Sequence, residues 1–178
     1  MYPSDPGPAA RNRLAFQLNQ VLRRLRQYRT ETQWVSAVLD GVSEFVPEAA
    51  VFAVKQGYIE LLGQLKMALP SHASFSTAST AAFAAALASK EPVIALRTPG
   101  EIGALLGVSA PGERAHIVPI SNEGRVVAVL FAQYAGAEQG EAIELIAGMA
   151  SIVLERQSNT SLQTQISDAQ IPRHLGTD

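Results

Sequence analysis

The sequence predicts an α+β fold, with a central antiparallel sheet covered by helices on both faces and preceded by a long N-terminal helix. Three observations lead there. Val126-Val127-Ala128-Val129-Leu130-Phe131-Ala132 is apolar throughout, whereas an antiparallel strand with one wet face alternates. Both faces of that strand are therefore covered. Leu14, Leu18, Val21, Leu25 and Tyr28 recur at alternating steps of four and three, and Val35, Leu39, Val42 and Val46 resume the pattern, a heptad-type helical seam. Between these segments lie short apolar runs punctuated by Gly and Pro, as strands and turns require.

Residues 1–10, with three prolines, read as a flexible arm. The long helix spans 11–46 and stops at Pro47, whose ring disfavours helical geometry in the residue before it. Ala49–Lys55 and Tyr58–Lys66 form a hairpin about Gln56-Gly57, where Gly supplies the positive φ of a tight turn. Ala68–Ser79 reads as a loop. Thr80–Ser89 is an alanine-rich helix with Phe83 and Leu87 on one face, and Val93–Arg97 is a short strand. Thr98-Pro99-Gly100-Glu101 starts a brief helix, with Thr98 as cap, Pro99 at the first position and Glu101 closing a capping box; Gly107 is expected to end it. A second hairpin turns at Ser121–Gly124. Glu138–Gln157 is the last helix, with Ile143, Ile146, Ala150 and Val153 on one stripe. A polar tail covers 158–178, in which Leu162 and Ile166 extend the stripe weakly and Pro172–Asp178 is loose. One domain, 11–157, results.

Composition removes several chemistries. Cysteine is absent, which excludes disulfides, thiolate metal sites, Cys nucleophiles and thioether-linked cofactors. No apolar run is long enough to span a bilayer, and the N-terminus lacks the apolar centre of a secretory signal, so the expected location is the cytoplasm. Net charge is −2, but six arginines and one aspartate fall in residues 1–30, giving +5 there and −7 elsewhere. The arginine face of the first helix (Arg23, Arg24, Arg26, Arg29) reads as solvated. Its sharper alternative is contact with nucleic acid, acidic lipid or an acidic partner, and no aromatic interleaving supports nucleic acid.

Element order and three stretches of sequence resemble the GAF domain family over residues 30–157. AVFAVKQGYIELLG resembles its first hairpin. Lys90-Glu91-Pro92-Val93-Ile94 resembles its junction of helix, charged pair, Pro and apolar strand. AHIVPISNEGRVVAVLFA resembles the later hairpin, in which a Pro-apolar pair precedes a polar turn and a Gly. The resemblance implies a GAF-like (profilin-like) fold and a sensory or regulatory theme. It also marks departures: Ala128 stands where many members have Gly, the Asn-Lys-Phe-Asp-Glu type motif of cyclic-nucleotide-binding members is missing, and the cysteines on which bilin attachment and free methionine sulfoxide reduction depend are absent. A roadblock-type interaction domain shares the helix and first hairpin, but has no natural place for Val93–Gly107.

No catalytic constellation is expected. The chain lacks a nucleophile elbow, a P-loop and a G-x-G-x-x-G. His72, His116 and His174 have no ligand spacing, so neither metal nor cofactor is expected. Glu141 and Glu144 read as carboxylates favouring the positive end of the last helix. The resemblance places any ligand between the sheet and the helices crossing it. Phe83, Leu87, Arg97, Leu105, Leu106, His116, Val118 and Phe131 are the candidates, against the plain reading that they fill the core. The expected function is a non-enzymatic GAF-like sensor. It would dimerise through its first and last helices, with Leu14, Leu18, Val21, Leu25 and Tyr28 as the seam, and a signalling partner protein would read its state. The alternative is a protein-interaction scaffold without a small-molecule ligand.

Overall fold

The N-terminal helical segment folds back on itself. This computed structural model describes residues 7–108 and 111–169, with side chains described through Thr160; Met1–Pro6, His174 and Pro172–Asp178 lie outside the described residues. The expected single helix over 11–46 is two: α1 (Pro8–Gln27) and α2 (Glu31–Val42). Tyr28 is extended, with ψ of 147°. Thr30 then caps α2, its hydroxyl accepting from the Gln33 N–H at 3.2 Å, while Gln33 Oε1 accepts from the Arg29 N–H at 2.7 Å. That reciprocal arrangement is close to a capping box, and it outweighs a heptad pattern that runs through it. α1 starts at Pro8, which suits a first helical position, so the expected arm loses its last three residues to helix.

The two helices pack antiparallel and close. A Cβ on Gly41 would lie 2.8 Å from Val21 Cγ1, and Arg24 meets Asp40 at 3.3 Å. The apolar seam is thereby used inside the chain. Val21, Leu25 and Tyr28 are buried, Leu18 is partly buried, and only Leu14, 40% exposed, remains largely open. The seam expected to face a second copy faces this chain's own core instead.

The sheet has six antiparallel strands in the order β3-β2-β1-β6-β5-β4: β1 (Ala49–Lys55), β2 (Tyr58–Leu65), β3 (Ser74–Ser76), β4 (Val93–Leu96), β5 (Arg114–Asn122) and β6 (Arg125–Gln133). β3 lies inside the expected loop; with one apolar residue between two serines it carries no alternation to read. The turns follow expectation, with Gly57 at φ 78°, and Glu123 and Gly124 at 52° and 75°. β6 is enclosed on both sides. Ala128, Leu130 and Ala132 join one apolar cluster and Val129 and Phe131 the other.

One face of the sheet carries α1, α2 and α5 (Ala137–Ala169). The other carries α3 (Ala81–Ser89) and α4 (Pro99–Ile102). α4 ends at Gly103, whose φ is 85°, not at Gly107, and the Thr98 side chain makes no capping bond. Gly107 has a different task, since a Cβ there would lie 2.6 Å from Pro99 N. α5 passes the expected end at Gln157 and takes in the first twelve residues of the expected polar tail. No Gly or Pro interrupts residues 149–171, and loss of an apolar stripe does not stop a helix that lacks a breaker. The side chains of Leu162 and Ile166 lie outside the description.

Candidate functional site

The eight candidate residues divide between the two faces. Strand alternation in β5 sends Ala115 and Ile117 toward α3, and His116, Val118 and Ile120 toward α5. Phe83, Leu106 and Phe131 lie in the α3–α4 cluster with Leu87 against them, Val118 lies in the opposite cluster, and Leu105 is 48% exposed. The expected single pocket is therefore not assembled by these residues.

On the α3–α4 face the space is filled by rings. Phe83 meets Phe52 edge-on at 6.0 Å between centroids and Phe75 at 5.3 Å, and stacks on Phe131 at 6.5 Å. Such pairs add about 0.5–1.5 kcal/mol beyond area burial. Arg97 closes this face at the end of β4. It is a buried residue, not the surface arginine that its strand-end position implies. Its Nε–H donates to Leu106 O at 3.0 Å. Its Nη1 donates to Glu48 Oε2 at 2.8 Å and lies 3.6 Å from Glu113 Oε2. Its guanidinium carbon sits 5.5 Å from the Phe131 ring centroid, a cation–π distance. Arg97 main chain also accepts from the Val108 N–H at 2.9 Å. The residue thus ties the α4 loop, the entry to β1 and the entry to β5 together.

On the α5 face the notable group is His116, 1% exposed. Its Nε2 lies 3.0 Å from Glu144 Oε1. Its Nδ1 is buried without a hydrogen-bond partner. A Cβ on Gly140 would approach the imidazole Cε1 to 3.3 Å, and the Tyr134 ring meets it edge-on at 6.2 Å. Burial lowers the His116 pKa below 6.5, and the neighbouring Glu144 carboxylate opposes that shift without reversing it. With Nε2–H donating to Glu144, a neutral ring leaves Nδ1 as an idle acceptor; the imidazolium would hold a donor with no acceptor. Further along the same helix, Ser151 Oγ accepts from the Ser121 N–H at 3.1 Å, and Asn122 donates to Ser158 Oγ at 3.0 Å. α5 is thus tied to β5 by polar contacts along much of its length.

His72 is exposed in a loop, 4.0 Å from Glu60. Among the described residues, no three or more His, Cys, Asp or Glu are placed to hold a metal ion, and no helix is long and apolar enough to cross a membrane. Surface hollows run along the α1–α2 hairpin, lined by residues such as Gln20, Arg24, Gln33 and Asp40, away from the sheet-side candidates. Glu48 carries no signal in the sequence, and Glu144, expected only to favour the positive end of the last helix, instead meets His116, because each acts through a partner far away in the chain. The only local signal was alternation in β5, which aims His116 inward without naming what meets it.

A six-stranded antiparallel sheet with helices on both faces matches solved structures. The fold is that of a GAF domain. The chain is similar to the GAF domain of A. aeolicus nlh2, solved in an inactive state, at 10% identity and a TM-score of 0.65, covering 83% of this chain and 98% of that one. It is similar to the GAF domain of an Acinetobacter phosphoenolpyruvate-protein phosphotransferase at 11% identity and a TM-score of 0.64, covering 83% and 96%. It also resembles a free methionine-R-sulfoxide reductase from Neisseria meningitidis, solved with its substrate, at 15% identity and a TM-score of 0.62, covering 89% and 97%. No protein-family model matches the chain, and neither does any curated protein. The GAF fold thus rests on geometry, at identities too low to carry a ligand or an activity across.

Proposed function

We propose that this GAF-fold chain is a non-enzymatic sensory or regulatory domain of the cytoplasm that works as a homodimer through α1 and α5. The observation that carries the reading is the surface of those helices. With the Val21–Tyr28 part of the seam spent internally, exposed apolar side chains remain on both terminal helices: Leu14 and Phe16 (64% exposed) on α1, and Leu145 and Ile152 (51% and 65%) seven residues apart on α5. α5 is about 50 Å long at 1.5 Å per residue. A second copy that covers these residues removes apolar area worth about 25 cal/mol per Å² from water.

The non-enzymatic reading rests on the residues themselves. The fold's cysteine-dependent reductive chemistry has no thiol to use here, and the buried His116 is enclosed by Gly140, Tyr134 and Glu144 rather than open to a substrate. A small molecule on the α3–α4 face would have to part the Phe52–Phe75–Phe83–Phe131 rings. The packed rings therefore favour the second reading, a protein-interaction module whose state is read by a partner protein and which needs no small-molecule ligand.

Size-exclusion chromatography with light scattering tests the proposal. The wild-type chain is expected as a dimer, and the Leu145→Asp/Ile152→Asp double variant as a monomer with unchanged far-ultraviolet circular dichroism. A wild-type monomer at every concentration overturns it.

A further inference from the structure

The two edges of the sheet are finished differently. At one edge β3 presents Ser74 and Ser76 on either side of Phe75. At the other, β4 presents Ile94 and Leu96, 48% and 51% exposed. Main-chain direction matters as much as the side chains. In an antiparallel pair, residues alternate between bonding the neighbouring strand and pointing away from it. The Arg97 N–H donates to Glu113 O at 2.8 Å, so Ala95 and Val93 also bond toward β5. Ile94 and Leu96 therefore send their N–H and C=O groups off the sheet, and no turn or loop among the described residues bonds to them. Natural edges carry charge or Pro to prevent pairing. Here Pro92 lies just before the strand, and the strand itself carries none.

We propose that the β4 edge pairs antiparallel with β4 of a second copy, about a two-fold axis at Ala95, joining two sheets into one. The strand is its own complement in that register. Ile94 exchanges both main-chain hydrogen bonds with the partner's Leu96, and Leu96 does so with the partner's Ile94, giving four bonds and a shared apolar row. The neighbouring charges are engaged within each copy: Arg114, beside Leu96, lies 4.6 Å from the Tyr134 ring centroid, and Glu144 meets His116, beside Ile94, at 3.0 Å. Arg97, the cation within the segment, is turned inward to Glu48. A four-residue strand buries well under the roughly 1,000 Å² of a stable interface, so this association is weak and depends on concentration. It is separate from the helix-mediated dimer.

The absence of native cysteine makes the test clean. In this register Ala95 faces its own copy as a non-hydrogen-bonded pair, with Cα atoms about 4.5 Å apart, within disulfide reach. The Ala95→Cys chain is expected to form a covalent dimer on mild oxidation, and Ser76→Cys at the opposite edge is expected not to. Adding Ile94→Pro removes an outward N–H without touching the β5 ladder, and should slow cross-linking about tenfold, equivalent to about 1.4 kcal/mol of pairing. Leu96→Lys, which adds charge without constraining the backbone, should do the same, and circular dichroism reports that each variant is folded. Adding Leu145→Asp/Ile152→Asp should leave the cross-link intact while abolishing the helix-mediated dimer. An oxidised Ala95→Cys chain that stays monomeric overturns the proposal, as does cross-linking indifferent to both edge variants or lost with the α5 substitutions.

Discussion

The two faces of the sheet treat buried polar groups in opposite ways. On the α3–α4 face they are satisfied: Thr80 Oγ1 donates to Ser76 O at 3.2 Å, and Arg97 has a carbonyl, carboxylates and a ring around it. On the helical face, three buried side-chain atoms lack hydrogen-bond partners: Trp34 Nε1, His116 Nδ1 and Asn122 Oδ1. They are the buried unpartnered side-chain atoms of the described residues, and all belong to elements on that face. A buried polar atom without a partner costs about 1–3 kcal/mol. The α3–α4 face thus holds its buried polar groups without that cost, whereas the other face carries it at Trp34 of α2 and at His116 and Asn122 of β5.

Breaking the α3–α4 face should have the largest effect. Phe83→Ala empties the centre of the ring cluster and is expected to cost about 3–5 kcal/mol, read as a lower denaturant midpoint. A smaller loss would mean that the cluster collapses to fill the space. Arg97→Ala should cost about 3 kcal/mol, toward the low end for breaking a buried ion pair, because the Glu48 and Glu113 side chains keep 33% and 36% of their exposure. Amide exchange should rise mainly at Val108 and around β4, which Arg97 ties together.

The softest test concerns pH. Folding lowers the His116 pKa, so the unfolded chain takes up the proton first. The stability held by the neutral ring is fully present above the unfolded value of about 6.5 and is lost as pH falls toward the folded value. Urea midpoints measured from about pH 8 to about pH 5 should decline. Much of that slope should vanish in His116→Leu, which also removes the orphaned nitrogen. An unchanged slope would assign the pH dependence to other groups and remove the distinction between the faces.

Legibility in the sequence followed the range of the determining interaction. Both hairpins, the enclosed β6 and the α3 helix were readable because alternation, Gly turns and apolar runs are local. The break at Tyr28–Thr30 is hidden although Thr30 and Gln33 have cap spacing, because a heptad seam runs through them undisturbed. β3 was invisible because its pairing with β2, not its own composition, makes it a strand. The end of α5 is not legible, because polar composition without Gly or Pro carries no stop signal. The site fared worst. Alternation aims His116 at one face and Phe131 at the other only once both strands share a register, and Glu48 and Glu144 act across gaps of 49 and 28 residues.

The position of β1 bears on how the polypeptide is born. Its hairpin with β2 can close as soon as both are made, but its other side waits for β6, with Phe52 opposite Val129. About 75 more residues must emerge first, about 4–15 s at ribosomal speed. Through that interval Ala49–Ala53, later shut away from water entirely or nearly so, stands as a naked apolar margin during translation.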